Sequence, residues 1–397
     1  MPVERAPIPA YVTWMFCGYL LLLPASEVVL RWTNLAAGGT AITPDRAIFM
    51  VINAITLSGF QSIIAVSTYP VPAQLVILAL TLVGILFTLI VGGLAVVRIL
   101  SLPYEDKRVM QFALIATVVF VAVGCIQLIG RYTPLEAVML SASSFGNSGV
   151  YFDRVPHHMD WPTHLVLLPL AVAGGLGLTV LMEIADSVRT RRALSRHARV
   201  VIGMTAWLYL ATLVVCFLLQ AIDRTDEPLV PLIGSSSVAA LNTRTLGFPI
   251  PFAQDFPTTV QWVLILSMII GGSPGGTAGG TKTTTYVRIW HGVRAALRGE
   301  PAGRPFGLAA VWLGTYLLCT AVIFVLLLAT VPQVVPERLL FLAVSAMSNV
   351  GLSHEAISFV SPGLHVLSAG MLVGRLTPLI ILWWMAQSTP PTDLATA

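Results

Sequence analysis

The sequence predicts an all-α polytopic membrane protein of four tandem span, pore helix, span repeats. That gives eight transmembrane helices and four re-entrant half-helices with pseudo-fourfold symmetry around a central pore. Three observations carry this expectation. The 397 residues are 56% hydrophobic and only 10% charged, with a mean hydropathy of +0.85. A soluble domain is about one quarter charged, so lipid must be the main solvent. Apolar runs are unbroken at helix-spanning length, about 20 residues for about 30 Å of hydrocarbon, whereas barrel strands would alternate over about ten residues. Finally, glycines at 59, 149, 247 and 351 recur at intervals of 90, 98 and 104 residues, each close to a quarter of the chain.

The same composition excludes disorder, collagen and disulfide-rich scaffolds. Cys17, Cys125, Cys216 and Cys319 all lie inside apolar runs without metal-ligand spacing, so they read as small buried apolar residues. The net charge of +4 reflects basic residues clustered in particular loops, so nucleic acid is not expected as a partner.

In chain order the spans fall at 11–30, 73–97, 111–130, 163–185, 202–222, 259–290, 308–330 and 363–386. The first has some signal-peptide character, with Arg5 before an apolar stretch, but cleavage would break the pairing of spans. Between paired spans lie 43–60, 133–150, 227–248 and 335–352, apolar but too short to cross. Thr43-Pro44, Thr133-Pro134 and Pro336-Glu337 are helix-start chemistry, with Asp45 and Glu136 in first turns. Each helix is expected to end at its glycine. The repeats are then 1–104, 105–195, 196–300 (with a broken second span) and 301–397.

A half-helix ending at mid-membrane aims the negative end of its dipole there. Exposed backbone survives at that depth only where it lines a cavity or is buried in protein. One such glycine alone would read as a helix C-cap. Four at quarter-chain spacing point to a ring of carbonyls for a dehydrated cation. The candidate filter is Thr56, Leu57, Ser58 and Gly59; Gly146, Asn147, Ser148 and Gly149; Arg244, Thr245, Leu246 and Gly247; and Ser348, Asn349, Val350 and Gly351. A hydrophobe follows each glycine: Phe60, Val150, Phe248 and Leu352.

Charge sets the expected orientation. With a cytoplasmic N-terminus, the links between repeats carry thirteen basic residues, counting Arg5, against six on the opposite face, as the positive-inside rule requires. That opposite face holds ten acids, including Asp45, Glu136, Asp160, Glu337 and Glu355, and would attract cations. Arg244, Lys282 and Arg375 are left at membrane depth. Arg244 is expected behind the filter, against helix C-termini or an acid such as Glu136 or Glu337. Arg375 is expected to donate to loop carbonyls. Lys282 either faces the ion route or snorkels to the surface.

The sixth span is interrupted by GGSPGGTAGGTKTTT, residues 271–285. Six glycines and Pro274 cost a helix about 1 and 3 kcal/mol each, respectively, so a loop is expected inside the membrane. It would lie flexibly across the permeation path, with Gly271, Gly272, Gly275, Gly276, Thr277, Gly279, Gly280, Lys282 and Arg375 as candidate gate residues. The G-x-S-x-G match at 271–275 lacks a preceding strand and a His/Asp partner. Thr281 stands where a phosphate-binding loop needs Gly before Lys282. Neither points to an enzyme.

These stretches resemble the Trk/Ktr/HKT superfamily of potassium transporters: the four filter segments, Gly271 to Thr285 as its gating loop, and Gly374-Arg375-Leu376 as its fourth-repeat arginine motif. The resemblance implies K+ as the permeant ion, with Na+ as a second ion, no bound cofactor and no catalysis. It also implies a homodimer in the bacterial cytoplasmic membrane and a cytosolic nucleotide-binding regulatory ring on the basic cytoplasmic face. With no helices before the first repeat, the short Ktr-like form is implied. Ser58 stands where Thr is common in the family, which bears on K+ over Na+ preference. The competing reading is an ion-coupled carrier of a small solute that binds at the broken sixth span.

Overall fold

The computed structural model describes residues 8–246, 248, 250, 252–388 and 395. Gly247 lies outside the described residues, as do the side chains of Thr245 and Leu246. Among the described residues, six helices are long and apolar enough to cross a membrane unaided: α1 (Ala10–Ala36), α3 (Val71–Ile99), α4 (Asp106–Leu128), α8 (Arg196–Asp223), α12 (Arg304–Thr330) and α14 (Gly363–Ser388). Four short helices lie between spans: α2 (Pro44–Ile55), α5 (Pro134–Gly146), α9 (Leu229–Leu241) and α13 (Pro336–Met347).

Burial separates an inner from an outer set. In their most apolar stretches α3 is 61% buried and α14 56%, against 17% for α1 and for α8. Outer helices that are apolar all round must face hydrocarbon, and Trp14, Trp32 and Trp207 stand exposed on them. The short helices bury progressively. In α2 every residue from Phe49 to Ile55 is buried, and in α13 every residue from Phe341 to Met347. Their C-terminal ends therefore lie deepest. Thr133 and Glu136 form a reciprocal capping box at the start of α5, the start chemistry expected there.

A second glycine series fixes how close these ends come to the inner spans. A Cβ on Gly84 would overlap the Ile55 carbonyl, one on Gly174 the Phe145 carbonyl, and one on Gly374 the Met347 carbonyl. Each carbonyl belongs to the residue four before a loop glycine. The three contacts are thus equivalent, and only a residue without a side chain lets the span approach the helix end.

Two spans are broken where one was expected. The sixth divides into α10 (Thr258–Ile269) and α11 (Thr283–Leu297) around the glycine-rich loop, as its composition requires. The fourth, expected to be straight over 163–185, is helical over Thr163–Leu176 (α6) and again over Leu178–Thr190 (α7), with a 100° bend between. Gly177 sits at the corner with φ +91° and ψ 149°, a region closed to side chains. The Leu178 amide donates to the Gly275 carbonyl at 3.1 Å, so the bend exists to receive the other loop.

Gly84→Ala forces a Cβ against backbone. Overpacking of this kind costs about 1–3 kcal/mol, so thermal unfolding in detergent should fall by several degrees. Gly314→Ala, at a span position with nothing within 4 Å of the added carbon, should leave it unmoved.

Candidate functional site

The three fully described glycine loops share one backbone design. Leu57, Asn147 and Asn349 have φ of +57°, +52° and +49°, and Gly59, Gly149 and Gly351 have +86°, +67° and +79°. The amides of Leu57, Asn147 and Asn349 donate to Ala54, Ser144 and Ala346, and those of Ser58, Ser148 and Val350 to Asn53, Ser143 and Ser345, at 2.8–3.2 Å. This paired pattern closes a helix C-terminus in the Schellman manner. The helices therefore end before the glycines, contrary to expectation. The cap residue is the one two positions earlier, and the glycine is free for a separate purpose. Leu57 takes up a left-handed conformation that costs a side-chain-bearing residue about 1–2 kcal/mol.

The loops meet one another. A Cβ on Gly59 would overlap the Ser148 carbonyl, and one on Gly351 the Ser58 carbonyl. Gln61 Nε2 donates to both the Gly59 and the Gly149 carbonyls, at 2.8 and 3.3 Å, so two loop carbonyls converge on a single nitrogen. Ser143 Oγ, Ser148 Oγ and Ser345 Oγ are buried without a hydrogen-bond partner. Buried polar atoms are normally paired, and oxygens left unpaired are open to a cation. The hydrophobes that follow, Phe60, Val150, Phe248 and Leu352, are all buried and hold the loops from behind. In the third loop Asn242 Nδ2 donates to the Phe248 carbonyl at 2.8 Å, matching Asn53 Nδ2 on the Phe60 carbonyl at 2.9 Å.

Side-chain amides tie two of the loops to their neighbours. Asn349 Nδ2 donates to the Met371 carbonyl at 2.8 Å and to Ser58 Oγ at 2.9 Å. Thr56 Oγ1 donates to the Ile52 carbonyl at 2.6 Å, so Ser58 must be the donor in its 2.9 Å bond to Thr56. Both hydrogen-bonding roles of the Ser58 hydroxyl are thus occupied within the wall. Asn147 Nδ2 donates to the Ala171 carbonyl and to Thr277 Oγ1, both at 2.9 Å.

Thr277 belongs to the broken-span loop, which is buried throughout 271–285. Its backbone ties to the other broken span, with Ser273 N on the Gly175 carbonyl at 3.0 Å and Thr277 N on the Gly174 carbonyl at 3.1 Å. A Cβ on Gly92 of α3 would stand 2.8 Å from the Gly275 Cα, and one on Gly279 would overlap the Ser348 carbonyl. The loop therefore touches all three other spans-and-loop units. It is fastened, where the sequence suggested flexibility, because carbonyls freed by the Gly174-to-Gly177 break accept its amides.

The cations at depth all donate to backbone. Arg375, 3% exposed, reaches the Thr277 carbonyl at 2.7 Å, as expected, and also the Thr56 carbonyl at 2.7 Å and the Leu57 carbonyl at 3.3 Å. It joins the first glycine loop to the broken-span loop. Lys282 neither snorkels nor lies open. It is 4% exposed, and Nζ donates to the Ala278 carbonyl at 2.8 Å, clamping the loop on itself. Arg244 is also buried, and its Nη2 donates to the Gly271 carbonyl at 3.0 Å. The acids named for it are elsewhere: Glu136 is held in its capping box, and Glu337 lies at the far, N-terminal end of α13.

On the side of the short-helix N-termini, acids and arginines pair locally: Arg131 with Asp160, Arg154 with Asp153, Arg224 with Glu227 and Arg338 with Glu355, at 3.3–3.7 Å. Exposed pairs of this kind are worth about 0–1 kcal/mol and leave less free negative charge than the sequence count suggested. His354, three residues past Gly351, donates from Nε2 to Gln261 Oε1 at 2.9 Å. Burial first, and then Arg338, push its pKa down to about 4, so it adds no positive charge to that mouth at neutral pH.

Sequence reasoning missed Gln61, Asn53 and the shared close approach of Gly84, Gly174 and Gly374 to the short-helix ends. The last were detectable as glycines 25, 25 and 23 residues beyond Gly59, Gly149 and Gly351.

Fold and site together define a multi-pass helical membrane transporter built on short helices that end at its centre. Comparison with known proteins narrows this. Residues 233–388 match the TrkH family model, described as cation transport protein. The chain is 23% identical to the Ktr system potassium uptake protein B of Vibrio alginolyticus, over 96% of this chain and 92% of that one. It is 24% identical to the protein of that name from Bacillus subtilis, over 98% and 93%, and 24% identical to the potassium/sodium uptake protein NtpJ of Enterococcus hirae, over 89% and 85%. The crystal structure of the potassium transporter TrkH from Vibrio parahaemolyticus superposes with a TM-score of 0.73 at 20% identity, covering 92% of this chain and 84% of that one. The Trk/Ktr resemblance is borne out, and the fold is that of TrkH.

Arg375→Leu leaves three buried carbonyls without their donor, each costing about 1–3 kcal/mol. The variant should melt many degrees below the parent in detergent. A change of a degree or less would mean that these bonds contribute nothing to holding the loops together.

Proposed function

We propose that this protein takes up K+ across the bacterial cytoplasmic membrane, N-terminus inside, through a filter made by its four glycine loops. The observation that carries the reading is the recurrence of positive φ at Leu57/Gly59, Asn147/Gly149 and Asn349/Gly351 in loops that abut one another. Alternating the sign of φ turns successive carbonyls toward one side, where they can replace an ion's hydration shell. The names of the relatives agree with potassium as the cargo. Na+ is the natural competitor, and Ser58 is a residue through which preference between the two would be set.

The loop from Gly271 to Thr285 is the gate, held shut by Arg375, Asn147 and the carbonyls of the Gly174-to-Gly177 break. Cavities beside it measure about 20 and 10 Å³, room for a water-sized species but not for an organic solute. This weighs against the solute-carrier reading despite the two broken spans. The protein works as a homodimer with a cytosolic nucleotide-binding ring. Arg189, Arg191 and Arg192, exposed at the end of α7, offer a basic surface for it.

Expression together with its regulatory partner should restore growth of a potassium-uptake-deficient strain at low K+; failure to rescue would sink the proposal. Gly351→Ser pushes the Ser58 carbonyl aside and should lower K+ over Na+ preference severalfold in flux assays, whereas unchanged preference would remove the filter assignment. Deleting residues 275–278 should raise basal K+ flux, and loss of flux would make the loop structural.

A further inference from the structure

Three of the four short helices are steadied near their deep ends by a tyrosine from the span just before them. Tyr19 Oη donates to the Ile55 carbonyl at 2.9 Å, Tyr209 Oη bonds Ser237 Oγ at 2.9 Å, and Tyr316 Oη bonds Ser348 Oγ at 2.5 Å. The second unit departs from this pattern. Its preceding span offers Phe120, whose ring stacks on Phe145 with centroids 4.9 Å apart and has no hydroxyl to give.

The Phe145 carbonyl, equivalent to that of Ile55, is instead bonded by the Thr277 hydroxyl at 3.0 Å. The same hydroxyl accepts from Asn147 Nδ2 at 2.9 Å, so its donor and an acceptor position are both spent on one glycine loop. The fourth unit supplies the comparison: Asn349 there finds Ser58, a neighbouring glycine loop, where Asn147 finds the broken-span loop. Thr277 thus takes both the place of a supporting tyrosine and the place of an adjoining loop.

We propose that Thr277 is the positioning residue of the second filter segment, so that the gate loop forms part of the filter's wall while shut and loosens that one segment on leaving. This rests on the filter-and-gate reading above. By reciprocity of coupling, whatever moves the gate also changes ion preference, and ion occupancy of the second segment biases the gate.

The test uses the full-length protein in lipid vesicles, with initial K+ flux and its competition by Na+ measured together. Thr277→Val, which keeps the side-chain shape and removes the hydroxyl, should raise K+ flux severalfold and lower the K+ over Na+ ratio at least threefold. Thr277→Ser, which keeps the hydroxyl, should retain the parent ratio. Thr277→Ala provides the same reading should the valine variant not assemble. Higher flux at the parent ratio would overturn the proposal, leaving Thr277 as a gate contact alone, and so would a ratio lowered equally by Val and by Ser. A parent protein that conducts no K+ would instead refute the filter reading itself.

Discussion

Several helix ends deliver unsatisfied backbone carbonyls to the middle of an apolar body, and that demand for hydrogen-bond donors or cations organises the rest of the structure. Water cannot reach such groups freely, and each one left unmet costs of order 1–3 kcal/mol. Donors are therefore drawn in from every direction: the Arg375 fork, the Lys282 ammonium, the amides of Asn147 and Asn349, and the Tyr19 hydroxyl. Three positive charges at membrane depth look expensive in isolation. Beside clustered carbonyls they become the cheaper arrangement, with only Arg244 keeping an unpartnered nitrogen.

The three fully described glycine loops share their capping hydrogen bonds, and that repetition gives way where the two broken spans meet. Loops one, two and four repeat their helix-closing bonds atom for atom. Against that regular frame, the Gly271-to-Thr285 segment contacts each of the other three units without an equivalent in any of them. Among the described residues, the two broken spans that meet there are the fourth and the sixth.

Much of this was legible in the sequence. Glycine spacing located the loops, apolar run length located the spans, and the density of glycine in 271–285 located the break. What was not legible depended on geometry across units. The bend at Gly177 was hidden because Gly174, Gly175 and Gly177 lie in an otherwise apolar run, and membrane helices tolerate glycine. The helix ends were misplaced by three or four residues because each glycine was read as the cap: Leu57 is a poor signal for a left-handed cap, and the usable signal of Asn147 and Asn349 was outweighed by the glycine two positions on. The partner of Arg244 was missed because helix C-termini and acids were considered, whereas the carbonyl that accepts its bond, that of Gly271, is released by the neighbouring break. Gln61 escaped notice since nothing in its local sequence shows that two loop carbonyls converge on it.

The hydrogen bond from Leu178 to Gly275 has a consequence for how such a chain is assembled. The corner at Gly177 is emitted from the ribosome about a hundred residues before the segment that satisfies it, and until then an amide and several carbonyls stay open within the bilayer. The early half of the protein must wait, half-finished, for the later half. Docking of the late segment therefore completes hydrogen bonding that the early half leaves open.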